Sequence, residues 1–313
     1  MEALNQYMIT VDNLTKKFGE VTAIEGLTFQ VEEGEIFGFL GPNGAGKTTT
    51  IRMLCCLISK TSGEARIDNY DVDKAADSLQ IRKMIGLVPD NVGLYNDLTA
   101  FENLDFYGKL YEVHEGHRRE NIERFLKMLD LWERKDTRAG SFSKGMKQKL
   151  ALARALIHEP KLLFMDEPTA NLDPESAKTV RDFILEVKKQ GRTIFLNTHN
   201  LEEAQRICDR IGIIKTRLLR IGSPEQLRES LTKPKIEIRL AEVSESLVNA
   251  LRKKVPNKIE VSDSKLIIDV SDPDKENPVI VNAISSSGGQ IREVSQVVPT
   301  LEDVYLQIVK EVK

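Results

Sequence analysis

Eight residues constrain this chain more than any others: Gly41 to Thr48, reading GPNGAGKT. Glycines at 41, 44 and 46 let a loop close so that backbone N–H groups point inward, and such a loop needs a strand before it and a helix after it. Both flanks agree, since EIFGFL precedes the loop with strand composition and TTIRMLCCLI follows it with helical spacing. The chain is therefore predicted to fold as an α/β sheet with a phosphate loop. Pro42, Asn43, Ala45 and Thr49 complete that loop. Within it Lys47 supplies a point charge to the β and γ phosphates of a nucleotide such as ATP, and the Thr48 hydroxyl is suited to Mg²⁺.

A second segment supplies what the loop lacks. KLLFMDEP is an apolar strand ending in two adjacent carboxylates, Asp166 and Glu167. Their different reach predicts different work: Asp166 faces the metal, and Glu167 polarises the water that attacks the γ-phosphorus.

The chain has 313 residues, more than one average domain, so two domains are expected. Its net charge of -3 supplies no basic field for a nucleic-acid backbone, and no nucleic acid is expected as partner. Apolar runs such as MLCCLI are only of strand or short-helix length, so the chain is not expected to cross a membrane by itself. MEALNQYMIT lacks the features of a signal peptide, and three cysteines make no paired framework, which points to a reducing cytoplasm. Cys55 and Cys56 read as small hydrophobes.

MITVDNL, LTFQV and EIFGFL alternate into the first helix as strands. From about residue 93 to 158 the pattern turns helical, through FENLDFYGKLYEV, RRENIERFLKMLDLW and LALARALIHEP, and reads as an inserted helical subdomain. Strand character returns in KLLFMDEP, TIFLNTH and RIGIIK, with helices ESAKTVRDFILEVKKQ and LEEAQRIC between them. The boundary is expected at 232/233, beside a composition shift at Lys233-Pro234; beyond it KIEIRL, SESLVNALRKKV, KIEV, KLIIDV, PVIVNAISSSG, QIREV and TLEDVYLQIVKEV suggest a small α+β sandwich over 233–313. His114 and His117 are spaced i, i+3 rather than i, i+4, and read as solvated helix-end residues, not a zinc pair.

With the two motifs in hand, residues 7 to 230 resemble the ATP-binding cassette family. The resemblance implies a phosphate-loop ATPase cassette within residues 1–232. In SFSKGMKQKLALARALIHEP, Phe142, Ser143, Lys144, Gly145 and Met146 occupy the five places of the family's LSGGQ signature, with Ser143 and Gly145 matching. That implies a second anion cradle, which clamps the γ-phosphate of ATP held by an opposite subunit. By the same resemblance Phe18 stacks on adenine, Asn171 to Asp173 cross a dimer seam, and His199 is the switch histidine touching the γ-phosphate and Glu167. One departure stands out: the loop IGLVPDN carries Asp90 where most members have a Gln that reaches Mg²⁺.

The tail VVPTLEDVYLQIV looks like the C-terminal extension of cassettes from drug-resistance, sodium-efflux and polysaccharide exporters. The implied assembly is a pair of cassettes, identical or mixed, docked on a multi-span permease at the cytoplasmic face of the membrane. A soluble cassette acting on ribosomes or DNA, or an idle regulatory one, remain the alternatives.

Overall fold

Strands covered on both faces need continuous apolar runs, and those runs set the chain's centre. The computed structural model describes residues 7–229, 235–297 and 300–311. The chain divides into two compact units, Met1–Pro224 and Glu225–Lys313. The expected boundary at 232/233 and the Lys233-Pro234 shift lie outside the described residues, as does the start of MEALNQYMIT.

The first unit opens with β1 (Tyr7–Phe18) and β2 (Val21–Glu32), paired antiparallel. β3 (Ile36–Leu40) runs into α1 (Lys47–Leu54), then come β4 (Ser62–Ile67), β5 (Tyr70–Asp71), α2 (Ala75–Met84) and β6 (Ile85–Val88). Three helices follow, α3 (Ala100–Leu110), α4 (Glu115–Met128) and α5 (Lys144–Leu156). β7 (Leu162–Asp166), α6 (Pro174–Lys189), β8 (Thr193–Thr198), α7 (Leu201–Ile207), β9 (Arg210–Lys215) and β10 (Arg217–Gly222) succeed them, and α8 (Pro224–Glu229) begins on the last residue of this unit and continues into the second.

The strands form two sheets. One has the order β2-β1-β4-β5; the other, six-stranded, has the order β10-β9-β3-β8-β7-β6. From β9 to β6 the larger sheet is parallel, and every residue of β3, β7 and β8 is buried. Phe29, Phe37, Phe39, Phe164 and Phe195 gather there, with Phe39 and Phe195 centred 5.3 Å apart. Full burial of each such ring contributes roughly 1.5–3 kcal/mol.

Capping marks the helical insertion. Thr99 and Glu102 make reciprocal side-chain to backbone bonds at the start of α3, a capping box. Arg118 joins α4 to α3 through Asp105 at 2.6 Å, and Asn121 ties α4 to the carbonyl of Ile157, just past α5.

Two local expectations fail. TTIRMLCCLI does not stay helical: α1 stops at Leu54, and Cys56 takes a left-handed φ of 56° that turns the chain away. Cys55 is still buried in the core, as a small hydrophobe would be. IGLVPDN is not a loop throughout, because Ile85–Val88 pairs in parallel with β7 as the edge strand β6. Strands β4, β5 and β10 and helix α2, being too short or too polar, gave no apolar period to read.

The second unit is built from β11 (Lys235–Leu240), α9 (Glu245–Lys254), β12 (Ile259–Ser262), β13 (Lys265–Asp269), α10 (Pro273–Ser286), β14 (Ile291–Val297) and α11 (Leu301–Glu311). Its antiparallel sheet has the order β12-β13-β11-β14. Alternation in KIEIRL places Ile236, Ile238 and Leu240 in a core shared with Leu247 and Leu251 of α9 and Ile280 and Ile284 of α10. The alternate residues carry charge: Lys265 meets Glu237 at 2.9 Å and Arg239 meets Glu293 at 3.2 Å. α10 begins earlier than its apolar run, because Asp272 caps it and Pro273 occupies its first turn.

His158 offers a check on the first unit. Its ring stacks on Tyr111 at 3.7 Å and its Nε2 lies 2.9 Å from the Ile85 carbonyl oxygen, so its neutral form is held in the packing between α5 and β6. Burial lowers its pKa from 6.5 to about 4. The neutral ring therefore stabilises the fold in full above pH 6.5, and that contribution is lost as pH falls towards 4. In urea unfolding, the unaltered chain should lose about 3 kcal/mol more than His158→Phe across that interval.

Candidate functional site

Parallel strands end together at one edge of a sheet, and the crevice outside their carboxyl ends is where α/β sheets bind ligands. Here Leu40 is in register with Thr198, and Asp166 with Asn197. The loop after β3, the carboxylates after β7 and the histidine after β8 are thereby level with one another.

A cavity of about 260 Å³ opens at that edge. It is lined by Ala23, Pro42, Asn43, Gly44, Ala45, Gly46, Lys47, Thr48, Thr49, Asp90, Asp166 and Glu167. Gly46 carries φ 97° in the left-handed region, and a Cβ there would collide with Ile24 and the Ala23 carbonyl. No side chain caps α1, which leaves its first N–H groups to an anion.

Lys47 is buried, and its ammonium donates to the carbonyls of Gly41 at 2.7 Å and Pro42 at 3.2 Å. Burial holds its pKa below the usual lysine range, opposed by the charges of Glu167 and Asp166. Polyphosphate oxygens are stronger partners for an ammonium than these carbonyls.

Asp166 is held from two sides. The Thr48 hydroxyl donates to one oxygen at 2.7 Å and the Asn197 amide to the other at 3.2 Å. The Asn197 Oδ1 atom is buried without a hydrogen-bond partner among the described residues. Thr48, Asp166 and Asp90 offer hard oxygen ligands of the kind a small divalent cation takes. No group of three or more His, Cys, Asp or Glu among the described residues could hold a metal on its own.

Glu167 adopts φ 52°, a left-handed conformation that costs a non-glycine residue about 1–2 kcal/mol. The turn aims its carboxylate into the cavity: Oε1 lies 2.8 Å from His199 Nδ1 and 3.7 Å from Lys47 Nζ. Its own N–H donates to the Asn197 carbonyl at 3.0 Å. A carboxylate held beside a phosphate loop, with an imidazole against it, can take a proton from an attacking water.

The other residues singled out by the sequence do not line this cavity. Ser143 caps α5, accepting from the Met146 N–H at 3.2 Å, with Lys144 in the first turn. Gly145 has a structural reason of its own, since a Cβ there would overlap the Ser176 side chain at the start of α6. Asp173 caps α6, accepting from the Ser176 N–H at 2.9 Å, and that bond lowers its pKa. Asn171 takes a left-handed φ of 57° in the turn before it. Phe18 ends β1 with half its surface exposed rather than joining the core.

Two functional candidates escaped the sequence reading. Buried Arg154 of α5 donates to the carbonyls of Val92 and Gly93, just past Asp90. Buried Glu203 of α7 accepts from Thr169 at 2.6 Å and Thr198 at 3.0 Å. The only local signal for Glu203 was its place three residues after the capping Asn200.

Residues 24–170 match the family model described as ABC transporter, and residues 222–309 match the ATP-binding protein DrrA1-3-like C-terminal domain. The linearmycin resistance ATP-binding protein LnrL of Bacillus subtilis is 34% identical over 96% of this chain and 98% of its own length. The chain belongs to the ATP-binding cassette transporter family. The Nod factor export ATP-binding protein I of Rhizobium sp. is 36% identical to this cassette protein over 97% of its chain and 98% of the relative. A dimeric ATP-binding cassette solved in a post-hydrolysis state with ADP and Pi superposes with a TM-score of 0.64 at 28% identity, covering 69% of the chain and 98% of that structure. The cassette is thus an ATP-binding, ATP-hydrolysing subunit of an ABC transporter.

Lys47→Ala tests the geometry. Removing one charged donor from a transferring phosphoryl group should lower turnover about 10²–10³-fold, measured by phosphate release, with the melting temperature near that of the unaltered protein.

Proposed function

We propose that this cassette drives an exporter whose membrane-spanning part is a separate permease, working as a head-to-tail pair at the cytoplasmic face of the membrane. Each ATP, with Mg²⁺, lies between residues Gly41–Thr49 of one copy and Ser143–Met146 of the other. The observation that carries this is the division of the site: Lys47, Asp166 and Glu167 share a cavity with the phosphate loop, while Ser143 at the start of α5, which the family resemblance makes a second anion cradle, does not line it. One chain holds two half-sites.

Thr48 and Asp166, with Asp90, would hold the Mg²⁺, which when bound would offset the negative charge of the phosphates. Glu167 accepts the proton of the attacking water. His199 orients Glu167 through their 2.8 Å contact and senses the γ-phosphate. Asn171 and Asp173 face the partner copy across the seam, and Phe18 stacks on the adenine.

Support for the permease comes from an exposed aromatic patch on the helical insertion. Tyr95 and Phe106 are exposed and meet edge to face at 5.1 Å, with Leu110 open beside them along α3. Only four residues separate Tyr95 from Asp90 in the nucleotide cavity, and Arg154 grips the backbone between them. Movement at the phosphates therefore has a short path to the patch. No helix among the described residues is long and apolar enough to cross a membrane. The export and resistance functions named for the relatives support the direction of transport.

Glu167→Gln should bind ATP, lose about 10²–10⁴-fold of its hydrolysis, and elute as a dimer from a sizing column in ATP and as a monomer without it. Elution as a monomer in ATP would refute the paired site. Copurification of the tagged protein in mild detergent should recover a multi-span membrane protein; recovery with ribosomes or DNA instead would refute the permease.

A further inference from the structure

Two segments that serve the γ-phosphate are far apart in sequence and joined by one buried side chain. Thr169 lies two residues after Glu167 and two before Asn171, in the turn that leads to the dimer seam. Thr198 directly precedes His199. Both hydroxyls donate to Glu203, Thr169 to Oε1 at 2.6 Å and Thr198 to Oε2 at 3.0 Å. We propose that Glu203 is a positioning residue that makes the seam turn and the strand end carrying His199 move as one body, so that Glu167 and His199 reach their hydrolytic arrangement only when the seam is engaged.

The geometry around Glu203 is closed on every side. Its carboxylate belongs to a residue only 2% exposed, and a carboxylate so buried is tolerated only where its oxygens accept hydrogen bonds. Both oxygens do so here. The Thr198 hydroxyl also accepts from the Asn200 N–H at 3.0 Å, and the Asn200 side chain accepts from the Glu203 N–H at 3.1 Å. Thr198, Asn200 and Glu203 thus form a small ring on either side of His199. The bond to Thr169 is the side-chain link from that ring to the seam turn.

The turn itself is compact. Ala170 donates to the Glu167 carbonyl at 3.1 Å and Leu172 to the Thr169 carbonyl at 3.3 Å. A displacement of Asn171 or Asp173 is therefore transmitted to Thr169, and through Glu203 to the residue before His199. Burial raises the Glu203 carboxyl above its usual range, and the two threonine hydroxyls pull it back.

The link predicts an effect on turnover and none on ATP affinity, because neither threonine nor Glu203 lines the nucleotide cavity. Thr169→Val removes the linking hydroxyl at constant shape and leaves the ring intact, whereas Thr169→Ser keeps the hydroxyl. With the full-length chain, kcat for ATP hydrolysis should fall about tenfold or more in Thr169→Val, while Kd for a fluorescent ATP analogue changes less than twofold. Thr169→Ser should recover most of the lost rate. In a Glu203→Gln background, Thr169→Val should add less than its full effect, because the two act through one contact.

Equal rates for Val and Ser, a Kd that worsens in step with kcat, or full multiplication of the Thr169 and Glu203 effects would each overturn the clamp. The inference rests on hydrolysis at the site described above. Absence of turnover in the unaltered chain would overturn that reading and the clamp with it, whereas normal turnover in both the unaltered chain and Thr169→Val would overturn the clamp alone.

Discussion

Parallel pairing of β3, β8 and β7 is the constraint on which everything else rests. Because Leu40, Thr198 and Asp166 end their strands at one level, three segments well separated in the sequence deliver a phosphate loop, a carboxylate pair and a histidine to one crevice. The aromatic cluster of Phe29, Phe37, Phe39, Phe164 and Phe195 fixes that level, since a slip of one residue would carry these rings to the opposite face. The rigidity of the sheet allows Glu167 to be kept in an unfavourable backbone conformation without relaxing.

Against this fixed edge, the groups that would meet a nucleotide or a second copy are polar and local. Lys47 bonds to carbonyls of its own loop, a weaker choice than phosphate oxygens, and Asp166 already holds the Thr48 hydroxyl. Ser143 and Asp173 satisfy helix N-termini by capping them. Gly145 lets those two helix starts approach closely, so the signature segment and the seam loop are neighbours within one chain. In the pair we propose, a partner touching one of these segments would disturb the other.

What the sequence disclosed follows the range of the forces involved. The phosphate loop was legible because its chemistry is set by eight consecutive residues. β3, β7, β8 and the alternating β11 were legible because burial imposes an apolar run or a period of two. α1 was read too long because the left-handed turn at Cys56 leaves no mark in an apolar stretch, and β6 was hidden because four residues become a strand only by pairing with β7. Glu203 looked like an ordinary residue of a helix first turn. Its meaning lies in Thr169, 34 residues away, and only the fold supplies that contact.

In the proposed pair, each nucleotide site is shared by two chains. Lys47→Ala breaks the phosphate-loop half and Ser143→Arg breaks the signature half, so each protein alone should be inactive. A mixed pair keeps one intact composite site, formed by the loop of the Ser143→Arg chain and the α5 cap of the Lys47→Ala chain. ATP hydrolysis should therefore reappear when the two inactive proteins are combined. A mixture as inactive as its components, with mixed pairs demonstrated by differential tagging, would contradict the shared site.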